Sequence, residues 1–321
     1  MKDDNRPLMV SIRCLTYNHE PYIRQCLEGF VMQQTNFRFE AIVHDDASTD
    51  GTATIVKEYA EKYPDIIKPI FETENQYSKH DGSLSRIMNE ACRGKYIAMC
   101  EGDDYWIDPL KLQKQVDLLE KNKNISLAYS RAHIRDNDKV YGDISCSDCS
   151  FQNLLTDNCI PTATVIIRAD DYFHYIEEIK PISREWMMGD YPLVLYFSLK
   201  NSICFLDMFT AVRRRLMESA SSSKNLEYLL KFGNCVTEIR LFFIDNYYQC
   251  IDKETVRERV VKKDLEYKFS LNLSLGTKYK ETKVLYNRIK TYFTIYKRIQ
   301  YSLILNSPLS FKLYRFYQLR K

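Results

Sequence analysis

Through the first 135 residues, strand-like and helix-like segments alternate, and three of the strand-like runs end in clusters of polar side chains. Residues 8–15 run into Thr16-Tyr17-Asn18, residues 39–43 into His44-Asp45-Asp46, and residues 96–100 into Glu101-Gly102-Asp103-Asp104. Helices are expected over 21–33, 52–63, 83–92 and 109–121, and further strands over 66–71 and 126–133. This alternation builds βαβ units around a parallel sheet. Open α/β sheets bind ligands beyond the carboxyl ends of their strands, and that is where the polar clusters fall. Farther on, residues 136–160 read as an irregular polar loop, 162–167 as a strand, 184–199 as a loop entering a helix, and 203–206 and 209–212 as short strands. From residue 227 onward the pattern is helical.

Glycine narrows the ligand chemistry. The chain has 9 glycines in 321 residues and no G-x-G, which excludes the dinucleotide-binding fingerprint and the Walker A loop. A nucleotide here must be held by something other than a glycine-rich cradle. The 10 cysteines lie mostly in apolar runs, where a free thiol packs as a small hydrophobe, and the lone C-x-x-C at Cys146 and Cys149 has no second pair. A reduced, cytoplasmic chain is therefore expected. The charged start MKDDNRP and the lack of an apolar run of about 18 residues predict neither a signal peptide nor a spanning helix.

The cluster at 101–104 is the strongest chemical signal. Three carboxylates in four residues repel one another, and a divalent cation bridging to phosphate relieves that, because hard cations share carboxylate and phosphate oxygens. Capping of the next helix by Asp104 or Asp108 accounts for only one of the three. In the run from Asp45 to Gly51, Asp50 is placed to cap a helix, whereas Asp46 is placed to accept from a base N–H or a ribose hydroxyl. The five histidines show no ligand spacing, and His19 and His44 read as structural.

Three motifs in order, Thr-Tyr-Asn-His-Glu at 16–20, Asp-Asp-Ala-Ser-Thr-Asp-Gly-Thr at 45–52 and Gly-Lys-Tyr-Ile-Ala-Met-Cys-Glu-Gly-Asp-Asp-Tyr-Trp at 94–106, resemble family-2 glycosyltransferases of the GT-A fold. The resemblance covers about residues 8–215. It implies an α/β, Rossmann-like nucleotide-diphospho-sugar transferase fold: a mixed sheet flanked by helices, here with a C-terminal helical appendage. The catalytic domain would occupy 1–220, with a donor half over 1–135 and an acceptor half over 136–220, and the helical region 221–321.

The resemblance also implies roles. Asp46 would contact uracil or another donor base, with Thr16 and Asn18 lining the same end. Asp103 would hold Mg2+ or Mn2+ against the donor diphosphate. Glu101, standing where relatives usually have Asp, would face the ribose, and Asp104 is counted with the donor-binding residues. A catalytic carboxylate follows in relatives some 80–90 residues later, on a loop opening a helix. Residues 184–192 fit, with Asp190 as general base and Glu185 as its nearest rival; a plain helix cap is the structural alternative for Asp190. Arg213-Arg214-Arg215 follows a strand where relatives carry a Tyr-Arg pair, so Arg214 reads either as a phosphate ligand or as part of a solvated basic turn.

The net charge of +3 hides an asymmetry: after Glu281 come nine Lys/Arg and no carboxylate, so the rest of the chain sums to −6. A basic tail on an acidic body does not fit a nucleic-acid binder. Leu285, Ile289, Tyr292, Tyr296, Ile299 and Leu303 recur at helical spacing. Ser307-Pro308 then restarts a helix with Leu309, Phe311, Leu313, Tyr314, Phe316, Tyr317 and Leu319 among basic residues. For 306–321 attachment to an anionic membrane surface is expected. For 282–305 that option stands beside packing as a helical lid or self-association into a homo-oligomer.

The functional expectation is an inverting, metal-dependent hexosyl- or N-acetylhexosaminyl-transferase. It would move a sugar from a nucleotide-diphospho-sugar, UDP-linked, to a hydroxyl of a glycan or lipid-linked glycan in bacterial surface-polysaccharide assembly. One rival is a nucleotidyltransferase, which would show a Gly-rich loop that residues 11–20 lack. The other is a non-catalytic glycan- or nucleotide-binding relative, against which intact Asp103 and Asp190 count.

Overall fold

The computed structural model describes residues 6–136, 139–216, 225–275 and 278–318, without the side chains of Tyr141 and of residues 315–318. The chain divides into two compact units, Met1–Leu216 and Met217–Lys321. The domain boundary expected at 220 falls within 217–224, outside the described residues.

In the first unit, β1 (Leu8–Thr16), β2 (Arg38–Asp45), β3 (Ile67–Phe71) and β4 (Tyr96–Met99) run parallel in the order β3-β2-β1-β4. The sheet continues through β8 (Ile166–Arg168), antiparallel to β4, and then β6 (Leu127–Asp136), β9 (Ile203–Arg214) and β5 (Tyr105–Trp106). Val10, Ile12 and Cys14 of β1 pack into one core with Ile23, Leu27 and Phe30 of α1 (Glu20–Val31), Val56 of α2 (Thr52–Lys62) and Leu112 and Val116 of α4 (Lys111–Lys121). Burial on both faces is what a parallel sheet between helices requires. The opposite face of β1 carries polar groups with partners: Ser11 Oγ donates to Glu40 Oε1 at 2.8 Å, and Arg13 donates to Tyr172 Oη of α6 (Ala169–Ile179) at 2.7 Å. Helices α3 (Ser83–Ala91) and α7 (Asp190–Leu199) complete the layers used below.

Three segments depart from the sequence-based expectation. Residues 136–160 are not a plain loop: β7 (Lys139–Ile144) reverses onto β6, and Ser150 caps α5 (Phe151–Leu154) by accepting from the Asn153 N–H at 3.4 Å. Backbone pairing along β6 needs no apolar side chains, so composition concealed it. Cys146 and Cys159 in this segment form a disulfide, which corrects the expectation of wholly free thiols. Residues 162–164 form a 3-10 turn before β8, because Thr164 Oγ1 bonds back to Pro161 O at 2.8 Å and competes with extended pairing. The two short strands expected near 203–212 are one strand, β9, with register shifts around Arg131 where the extra residues bulge.

The second unit contains α8 (Leu226–Tyr247), α9 (Lys253–Ser274), α10 (Tyr279–Ile289), α11 (Ile295–Ile304) and α12 (Pro308–Gln318). Phe269, Tyr286, Ile289, Ile304, Leu305 and Phe311 form its core. The continuous apolar face expected from Leu285 to Leu303 is broken: Phe293 is extended and Thr294 Oγ1 accepts from the Lys297 N–H at 3.4 Å to start α11 afresh. Ile289 is therefore buried, whereas Ile295, Tyr296, Ile299 and Leu303 are 58 to 77% exposed. The side chains of Arg315, Phe316 and Tyr317, and residues 319–321 altogether, lie outside the described residues. Among the described residues, no helix is long and apolar enough to cross a membrane.

Candidate active site

The carboxyl ends of β1, β2 and β4 are laced together by the backbone. Thr16 O accepts from the Asp46 N–H and Leu15 O from the Gly102 N–H, both at 2.9 Å. Gly102 is a steric requirement: a Cβ there would lie 2.7 Å from Thr16 Oγ1 and 2.9 Å from His19 Nδ1. Four buried polar atoms at this edge, Thr16 Oγ1, His19 Nδ1, Asp45 Oδ1 and Asp103 Oδ1, have no hydrogen-bond partner. A buried polar atom without a partner costs about 1–3 kcal/mol, so four at one sheet edge suit a ligand that brings donors or a cation. Burial lowers the His19 pKa below its ordinary value against the raising charges of Asp103 and Asp50, which favours a neutral imidazole.

The three carboxylates at 101–104 have separate environments. Glu101 opens to solvent at its rim, yet its carboxyl is pushed up to about 7 by the protein packed around it and then by the charges of Asp103 and Asp190. Arg213 and Arg13 pull it back down. Asp104 Oδ1 accepts from the Arg214 backbone N–H at 2.8 Å, and burial raises its carboxyl well above the usual carboxylate range. Asp103 keeps one buried oxygen free, which fits a divalent cation. Among the described residues, no three His, Cys, Asp or Glu side chains are gathered to hold an ion alone. Mg2+ is typically bound by one or two carboxylates and completed by substrate phosphates.

Several expected donor residues serve the frame of the site. Asn18, in the left-handed region at φ 53°, donates its N–H to Ser48 Oγ at 2.9 Å and accepts at Oδ1 from the Thr49 N–H at 2.8 Å. Asp46 Oδ1 accepts from the Gln76 N–H at 2.6 Å and Oδ2 from the Tyr77 N–H at 3.0 Å. Asp46 thus anchors the 76–77 backbone, and its neighbour Asp45 holds the free oxygen. The Arg214 guanidinium stacks between Tyr22 and Tyr105, 5.1 and 4.5 Å from the ring centres, and donates to Asp103 O and Gln25 Oε1. It is half-buried between the two rings and so is not part of a solvated turn.

Asp190 is the first residue of α7, just after Gly189. Its Oδ1 accepts from the Tyr191 N–H at 2.8 Å and its Oδ2 from Thr162 Oγ1 at 2.9 Å. Its charge raises the Glu101 carboxyl, so the far-separated motifs lie within electrostatic reach of each other. Glu185 is exposed, with φ 55°. Sequence reasoning read His19 as structural, gave the donor role to Asp46 and not to its neighbour Asp45, and passed over Arg13 and Thr162. Of these last two only Arg13 left a signal, as a charge inside an apolar strand run.

Residues 11–216 match the Glycosyl transferase family 2 model. The chain belongs to this family. Among glycosyltransferase relatives, it is 27% identical over 248 residues to the UDP-Glc:alpha-D-GlcNAc-diphosphoundecaprenol beta-1,3-glucosyltransferase WfgD of Escherichia coli, covering 74% of this chain and 92% of that one. It is 36% identical over 214 residues to an uncharacterized protein of Mycobacterium tuberculosis, covering 64% of this chain and spanning only 58% of that relative's length. Staphylococcus aureus TarS 1–349, solved in complex with UDP-GlcNAc, superposes with a TM-score of 0.62 at 18% identity over 97% of this chain and 90% of that one. That likeness shows the GT-A fold. The chain is thus a family-2 glycosyltransferase with a GT-A-type mixed sheet and a helical C-terminal region.

Proposed function

We propose that this glycosyltransferase moves a hexosyl or N-acetylhexosaminyl group from a UDP-linked donor, with inversion and with Mg2+ or Mn2+, to a hydroxyl of a glycan or lipid-linked glycan in bacterial surface-polysaccharide assembly. The observation that carries this is the set of unpartnered buried atoms on Thr16, His19, Asp45 and Asp103 at the carboxyl edge of the sheet. Asp45 and Thr16 would take the nucleoside end, where Asp46 and Asn18 hold the walls. Asp103 would hold the cation, which when bound neutralises charge on the departing diphosphate. Arg214 keeps the Asp103 backbone in place. Asp190 accepts the acceptor hydroxyl's proton as that oxygen attacks the anomeric carbon, a general-base role. UDP as the nucleotide draws support from the names of WfgD and of the TarS complex.

The test is nucleoside diphosphate release from UDP-glucose, UDP-GlcNAc and GDP-mannose with Mn2+, in the presence of a GlcNAc-diphospho-lipid. Release of UDP is expected, and Asp190→Asn should bind UDP with metal yet not transfer. Formation of UTP and sugar 1-phosphate from UDP-glucose and added pyrophosphate, in place of UDP release, would identify a nucleotidyltransferase, and transfer by Asp190→Asn would unseat the base.

The second unit supports a place on the inner face of the cytoplasmic membrane. Ile295, Tyr296, Ile299 and Leu303 of α11 and Leu309 and Leu313 of α12 are exposed in a stretch with no carboxylate after Glu281. A basic surface with exposed apolar side chains suits anionic lipid. Vesicles of phosphatidylglycerol should sediment the full chain and lose it on Ile299→Ser with Leu303→Ser; equal retention would discard this surface.

A further inference from the structure

We propose that Thr162 is a positioning residue for Asp190, and that the turn carrying it is set in place by Trp106 of the carboxylate motif. The proposal rests on Asp190 being the general base.

The Thr162 hydroxyl donates to Asp190 Oδ2 at 2.9 Å while Oδ1 accepts from the Tyr191 N–H at 2.8 Å. Both carboxylate oxygens are thereby oriented, and each keeps lone-pair capacity for an acceptor hydroxyl. Thr162 is itself held by its neighbours in the 3-10 turn. The Trp106 indole N–H donates to Ala163 O at 2.7 Å, Gln115 Nε2 donates to Thr164 O at 2.7 Å, and the Ser130 N–H donates to Thr164 Oγ1 at 3.2 Å. Three elements, β5, α4 and β6, thus grip two buried residues, and the half-buried Thr162 beside them projects its hydroxyl at the base.

Trp106 stands three residues after Asp103. One continuous path therefore runs from the proposed cation ligand, through Trp106 and the Ala163 carbonyl, to Thr162 and Asp190. It ties the leaving-group end of the cleft to the base, so the distance between them is set by packed backbone. Reactions of this kind depend on such alignment.

Steady-state UDP release from UDP-glucose, with the full chain, Mn2+ and the lipid acceptor, tests the proposal. Thr162→Val should lower kcat about 10-fold with the donor KM unchanged within about 2-fold. Thr162→Ser should restore kcat. Trp106→Phe keeps an aromatic ring but removes the donor to Ala163, and should shift kcat in the same direction; it decides the matter should Thr162→Val fail to fold. An unmoved kcat in Thr162→Val, or no rescue by Ser, overturns the proposal while an inactive Asp190→Asn still upholds the base. Transfer by Asp190→Asn removes the base itself.

Discussion

The backbone N–H of Arg214 donates to Asp104 Oδ1 at 2.8 Å, while the same residue's guanidinium donates to the Asp103 carbonyl. One residue at the end of β9 thus holds two consecutive members of the carboxylate motif, and the Asp104 carboxylate is spent on structure. Asp103 is left with the free oxygen.

Arg214→Ala should therefore act through Asp103. Losing two cation–π contacts, each of about 0.5–2 kcal/mol, predicts a stability loss of about 1–3 kcal/mol in urea titration. Metal-dependent UDP binding should weaken about 10-fold as Asp103 loosens, a loss of about 1.4 kcal/mol. Weaker UDP binding with unchanged stability would instead make Arg214 a direct diphosphate ligand. A stability loss with unchanged binding would confine it to the scaffold.

Gly102→Ala tests the donor edge. The new methyl would press on Thr16 Oγ1 and His19 Nδ1 at 2.7 and 2.9 Å. Relief by moving either side chain costs about 1–3 kcal/mol, so UDP affinity measured calorimetrically should fall about 10-fold or more. Unaltered affinity would show that the donor lies elsewhere.

Lys111 predicts a pH dependence of stability. It is fully buried with its ammonium 4.1 Å from the Trp106 ring centre, and burial lowers its pKa to about 7. Because the folded pKa lies below the unfolded one, the charged lysine costs stability below pH 7, and the cost is relieved as pH rises from about 7 toward 10. In that window this group adds at most about 1.4 kcal/mol of stability per pH unit, and the cation–π contact reduces the effect. Lys111→Met should flatten the rise in urea midpoint between about pH 7 and 9 relative to the parent chain. Parallel profiles would mean that Lys111 stays charged throughout.

What the sequence disclosed and what it hid divide along physical lines. Buried strands and helical faces announce themselves by period, so β1 to β4 and α1 to α4 were legible to within a few residues. The carboxylate motif was legible because like charges after an apolar strand need a reason. The division of labour within it was not: which of Asp45 and Asp46 keeps a free oxygen depends on whether the backbone at Gln76 and Tyr77 folds back. Thr162 was illegible for the same reason, since its importance lies in a partner 28 residues away. The C-terminal helices misled by sharing one period across a break at Phe293.

The path through Trp106 can be strained from behind without touching the cleft. Gly29 of α1 faces β5, and a Cβ there would lie 2.9 Å from Trp106 N and 3.1 Å from Trp106 O. Alanine is better than glycine in a helix by about 1 kcal/mol, so propensity alone would make Gly29→Ala stabilising. The backbone of β5 cannot swing aside as a side chain can, because Tyr105 and Trp106 are paired to Val212 and Ala211 of β9. Overpacking of this kind costs about 1–3 kcal/mol and should win. Gly29→Ala is then expected to lower the urea midpoint and, by displacing Trp106 from the Ala163 carbonyl, to reduce kcat more than donor KM. A stabilised variant with full kcat would mean that β5 and the turn at 162–164 move independently, which would also cut the proposed link between the carboxylate motif and Asp190.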